Sequence, residues 1–116
     1  MILAVDRNQR NLDLLTEFLQ AEGFQILTAN TLEAVEQVLS QSHSIQVALV
    51  DISGFDRTIW NYCEQLRLAD IPFLVLSPRQ SAQLQQQSLA YGARSVLVKP
   101  LVIKELVRLL HSLMGE

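Results

Sequence analysis

Val47-Ala48-Leu49-Val50-Asp51, four apolar residues closed by an acid, is the stretch that decides the fold. Apolar residues at consecutive positions, not alternate ones, mark a strand buried on both faces, as in the interior of a parallel sheet. Three other runs have the same form: residues 2–6 end on Asp6, residues 73–77 on Ser77 and residues 96–99 on Lys99. If all four lie in one parallel sheet, their terminal side chains emerge together at its carboxyl edge, where open α/β folds bind ligands.

Helical patterns fill the intervals. Leu12, Leu15, Phe18 and Leu19 recur at helical spacing until Gly23, and a short strand is expected at 25–28. Leu32, Val35, Val38 and Leu39 define a second helix, with Thr31 or Asn30 as its cap. Ile59, Tyr62, Cys63 and Leu66 define a third, which must end before Pro72. A glutamine-rich fourth helix over 81–91 has the weakest apolar stripe and stops at Gly92. Ile103, Leu106, Val107, Leu110 and Leu113 give the clearest amphipathic pattern of the chain. Five strand-helix repeats predict a doubly wound α/β domain over 1–116, with a five-stranded parallel sheet in the order 2-1-3-4-5. That order makes strands 1 and 3 neighbours, and so Asp6 and Asp51.

Composition narrows the partners. A chain of 116 residues, 49% hydrophobic and 18% charged, is long enough for one real core. Its net charge of −3 offers no basic stripe, so direct nucleic-acid binding is not expected. No apolar stretch approaches the ~18 residues of a membrane span, and strand 1 begins too early to leave room for a signal peptide. The lone Cys63 excludes an internal disulfide and fits a cytoplasmic location; it reads as a small apolar residue on a helix face. His43 and His111 read as surface histidines, and Trp60 as an anchor on helix 3.

With Asp6, Asp51, Ser77 and Lys99-Pro100 at four strand ends, and Gly92-Ala93 before the last strand, the chain resembles a response-regulator receiver domain over essentially its full length. The resemblance implies the flavodoxin-like receiver fold and a signalling domain, not an enzyme. It also implies a sensor histidine kinase or phosphotransfer protein as partner and Asp51 as phosphoryl acceptor. Lys99 would pair with the phosphoryl oxygens, Ser77 would be the switch hydroxyl, and Asp6, Asp51 and the Ser53 carbonyl would hold Mg²⁺. The Lys99–Pro100 peptide is expected to be cis, and a homodimer is expected through helix 4, strand 5 and helix 5, with Arg94 and Arg108 on that face.

Arg7 departs from the family pattern, which places a second metal-binding acid there. A unit charge ~5 Å from a divalent ion repels it by about 2 to 7 kcal/mol for effective dielectric constants between ~80 and ~20. Mg²⁺ binding is therefore expected to be weak or absent, with Arg7 as its substitute, its guanidinium bridging Asp6 and Asp51. A second orientation sends Arg7 to solvent. Phe55, Thr58-Ile59, Val96 and Pro78 also depart from the pattern, and Val96 removes the usual switch aromatic. Ser77 has the alternative role of capping the next turn. Two functions stay open: a phosphoryl-accepting receiver, and a pseudo-receiver that binds a partner or dimerises without phosphotransfer. A cofactor enzyme is disfavoured, because residues 7–11 offer no glycine or hydroxyl series to cradle a phosphate.

Overall fold

The computed structural model describes residues 1–41 and 44–115. Among these, strands β1 (Ile2–Val5), β2 (Ile26–Ala29), β3 (Val47–Asp51), β4 (Phe73–Ser77) and β5 (Ser95–Val98) alternate with helices α1 (Gln9–Ala21), α2 (Leu32–Ser40), α3 (Ile59–Leu68), α4 (Ala82–Ala90) and α5 (Ile103–Leu113). The strands form one parallel sheet in the order β2-β1-β3-β4-β5, as the repeat pattern predicts. Small offsets separate expectation from structure. β2 starts one residue later and ends one residue later than 25–28, while Asp6 and Lys99 lie just beyond the last paired residues of β1 and β5. Ser81 and Tyr91 cap α4 instead of belonging to it, and Thr31 is the cap of α2.

Alternation along each strand divides the core into two layers. Leu3, Val5, Ala48, Val50, Phe73 and Val75 pack with Val35, Ile59, Trp60, Cys63 and Leu66 of α2 and α3. Ile2, Val47, Leu49, Leu74 and Leu76 pack on the opposite face with Leu19, Leu106 and Leu110 of α1 and α5. The register pairs Val5 with Val50, Asp51 with Leu76 and Ser77 with Val98, so the strand ends are aligned to within a residue. By the same alternation Asp51 shares the α1/α5 side with Val47 and Leu49, whereas Ser77 falls on the α3 side with Phe73 and Val75.

Trp60 is an anchor: it is buried and stacks on Tyr91 at 5.2 Å and 16°, tying α3 to the end of α4. Cys63 is fully buried, which pushes its thiol up to about 12. His111 is half-buried with its ring 5.0 Å from Phe24, less open than a surface position, and His43 lies outside the described residues. Phe18 differs from expectation more. Leu12 and Leu19 carry the buried stripe of α1, while Phe18 and Leu14 are 52% and 48% exposed. They lie on the flank of the helix, beside the stripe that faces the sheet.

Gly92 ends α4 at φ +105, and a Cβ there would stand 2.6 Å from Arg67 Cδ and 3.1 Å from Cγ. Gly23 has a similar φ of +92 but nothing within 4 Å of a Cβ. Both alanine variants should lose stability through backbone strain, about 1–3 kcal/mol at such a φ. Gly92→Ala should lose more than Gly23→Ala, because Arg67 must also be displaced; urea unfolding of the two variants measures the difference.

Candidate functional site

The carboxyl edge of the sheet brings Asp6, Asp51 and Lys99 together. Asp51, the last residue of β3, has no solvent exposure. A buried carboxylate requires compensation, and here each oxygen has a partner. Oδ1 accepts the Ser53 backbone N–H at 2.9 Å, and Oδ2 is ion-paired with the Lys99 ammonium. Lys99 is positioned from β4, its N–H donating to the Ser77 carbonyl at 2.9 Å. The Lys99–Pro100 peptide that follows is cis, as expected.

Asp6 is set by β2 and by the turn into α1. Its N–H donates to the Ala29 carbonyl at 3.1 Å, and its Oδ1 accepts the Asn8 N–H at 2.8 Å. Asn8 also caps α1, its Oδ1 accepting the Asn11 N–H at 3.2 Å. Burial raises the Asp6 pKa above the usual carboxylate range, and the Asp51 carboxylate raises it further; the Asn8 N–H and the Lys99 ammonium act against them. Asp6 has no ion-pair partner among the described residues.

Arg7 does not bridge the carboxylates. Its side chain is exposed, its stem lies over Gly54 and its guanidinium carbon sits 5.9 Å from the centre of the Phe55 ring. Its positive charge helps to hold the Asp56 carboxyl below the usual range, behind the larger effect of hydrogen bonds from Thr58. The expected bridge fails for a physical reason: Lys99 already pairs with Asp51, while an aromatic face and an exposed acid attract the guanidinium outward. Ser77 takes its capping alternative. Its hydroxyl donates to the Arg79 carbonyl at 2.6 Å, which closes the turn around Pro78.

Asp6, Asp51 and Lys99 together leave one negative charge in excess, since Arg7 lies outside the cluster. Two facing carboxylates and a backbone carbonyl suit a hard divalent cation. Among the described residues, however, no group of three acidic, histidine or cysteine side chains converges on one point. The Ser53 hydroxyl is buried without a hydrogen-bond partner, so its loop retains polar capacity beside Asp51. The donor set therefore fits a two-carboxylate Mg²⁺ site, poorer by one ligand than a three-acid site.

Residues 2–111 match the family model of the response regulator receiver domain, and the chain belongs to that family, the receiver domains of two-component response regulators. It is 32% identical over 116 residues to the response regulator MprA of Mycobacterium leprae, covering 97% of this chain and 50% of MprA. It is 24% identical over 106 residues to the heme response regulator HssR of Staphylococcus saprophyticus, covering 90% of this chain and 47% of HssR. The chain thus spans about half the length of these curated relatives. Among solved structures, a two-component response regulator from Clostridium difficile superposes with a TM-score of 0.89 at 22% identity, covering 99% of this chain and 95% of that one. The chemotaxis protein CheY4 of Vibrio cholerae gives 0.82 at 26%, covering 97% and 96%. No described helix is long and apolar enough to cross a membrane.

Sequence reasoning did not single out Asn8 or Phe55 in these roles. Asn8 was detectable as an asparagine just before a helical run; nothing local marked Phe55 as the platform for Arg7. Because the folded state binds a proton on Asp6 more tightly than the unfolded chain does, the Asp6 contribution to stability should fall as pH rises through the ordinary carboxylate range to the raised Asp6 pKa, then stay level. Asp6→Asn keeps the acceptor for the Asn8 N–H and removes the charge. It should be more stable than the parent at neutral pH by on the order of 1 kcal/mol, the scale of one like-charge contact. The difference should vanish below both pKa values, as read by urea midpoints across pH.

Proposed function

We propose that Asp51 accepts a phosphoryl group from the phosphohistidine of a sensor histidine kinase or a phosphotransfer protein. The observation that carries this reading is the wholly buried Asp51 carboxylate, ion-paired to Lys99 at the mouth of the β1/β3 crevice. In the transfer a carboxylate oxygen of Asp51 bonds to phosphorus as the donor's N–P bond breaks, and the electron pair of that bond returns to the imidazole. Two anionic groups must meet, so positive charge has to offset their repulsion. Lys99 turns its ammonium from the carboxylate toward the phosphoryl oxygens, while the Ser53 N–H keeps Asp51 oriented. Asp6, Asp51 and the Ser53 carbonyl are the residues that would hold Mg²⁺, which supplies further positive charge when bound. The missing acid at position 7 makes that binding weak and the dependence on Mg²⁺ impaired.

Ser77 is the phosphoryl-responsive hydroxyl in this reading, which requires it to leave the Arg79 carbonyl. The face formed by α4, β5 and α5 is the proposed surface for self-association, with Val98 and Val102 exposed there. The proposed setting is the cytoplasm, and with a net charge of −3 the domain makes no direct contact with nucleic acid.

Incubation with a small phosphodonor, with and without Mg²⁺, followed by intact-mass measurement tests the assignment. One phosphoryl group per chain is expected, absent in Asp51→Asn, with a rate raised less than about tenfold by millimolar Mg²⁺, equivalent to ~1.4 kcal/mol. No added mass under either condition contradicts the proposal and leaves the pseudo-receiver reading.

A further inference from the structure

A cavity of about 480 Å³ opens between α1 and the start of α5 above the carboxyl ends of β1 and β3. Its volume is in the range of small-molecule sites, roughly 300–1,000 Å³. Leu14, Phe18, Leu101 and Ile103 line its walls. Leu14 and Phe18, one helical turn apart on α1, are both about half exposed. The floor is polar and formed by Asp6, Asp51 and Lys99. The Lys99 ammonium is engaged by Asp51, so the unmatched charge of the floor is the Asp6 carboxylate. An apolar slot closed by one excess negative charge complements a molecule with a cationic head and an apolar tail.

We propose that this cavity binds small amphipathic organic cations, a primary ammonium on a short alkyl or arylalkyl tail. The ammonium pairs with the Asp6 carboxylate beside the Asp51–Lys99 pair, and the tail lies along Leu14 and Phe18. Charge selects the class: a carboxylate of the same shape meets the excess negative charge, and a neutral alcohol leaves Asp6 unmatched. Because the head sits where a divalent cation would, the ligand competes with Mg²⁺. The site shares Asp6 and Asp51 with the acceptor pocket but involves no phosphoryl transfer, so its binding is measured without a phosphodonor and fails or succeeds separately.

The test is titration of the full chain with n-hexylammonium chloride, n-hexanol and sodium hexanoate, followed by backbone amide NMR. Saturable shifts are expected for hexylammonium at residues 11–18 and 101–103, with hexanoate and hexanol at least about tenfold weaker. Phe18→Ser, at a half-exposed position, should weaken binding about fivefold or more, and Asp6→Asn at least about tenfold. Added Mg²⁺ should raise the apparent Kd for hexylammonium. Equal binding of hexanol would make the cavity an apolar docking groove for a protein segment and overturn the proposal. Unchanged affinity in Asp6→Asn, shifts confined to another surface, or no saturable shifts with hexylammonium would overturn it as well.

Discussion

The interaction on which the site depends is the ion pair between Asp51 and Lys99. A carboxylate with no solvent exposure at the end of the central strand would be costly to keep charged without a counterion. The sheet supplies one from two strands away, and β4 lies between them with its Ser77 carbonyl fixing the Lys99 backbone. Parallel register does the rest, because it aligns the ends of β1, β3 and β5 so that Asp6, Asp51 and Lys99 meet over one crevice.

The other side chains of the site are arranged around that pair. With Asp51 satisfied by an ammonium and a backbone N–H, the Arg7 guanidinium finds its partners outside the cluster and lies across Phe55 in the field of Asp56. Asp6 carries the consequence: it is buried near a second carboxylate with one backbone N–H as its hydrogen bond. Ser77 leaves the α1/α5 side by strand alternation and closes its own turn on Arg79. Asp51, Lys99 and the Ser77 hydroxyl are therefore close along the sheet edge but belong to two different layers.

The fold was legible because strands buried on both faces must be apolar at successive positions, a signal that needs no knowledge of neighbours. Val47–Asp51 and Phe73–Ser77 have the bounds their sequences suggest. β1 and β5 fall one residue short of Asp6 and Lys99, because a polar residue that ends an apolar run need not be the last one paired. Placement of Asp6, Asp51 and Lys99 follows from topology and was equally readable. Orientation was not: Arg7 and Ser77 each had two local choices, settled by Phe55 and Asp56 in one case and by the Arg79 carbonyl in the other. Phe18 shows the same limit on α1, where it shares the helical spacing of Leu12, Leu15 and Leu19 but is half exposed while Leu12 and Leu19 carry the buried stripe.

A double-mutant cycle on Asp51 and Lys99 tests most directly whether this ion pair organises the site. Asp51→Asn, Lys99→Met and the double variant would be compared with the parent by denaturant unfolding at neutral pH. Removal of Lys99 alone leaves a buried carboxylate without its cation, so it should be destabilising, and the two substitutions should be coupled by about 1 to 3 kcal/mol. Additivity to within about 0.3 kcal/mol would show that the two charges do not depend on each other and would contradict the account.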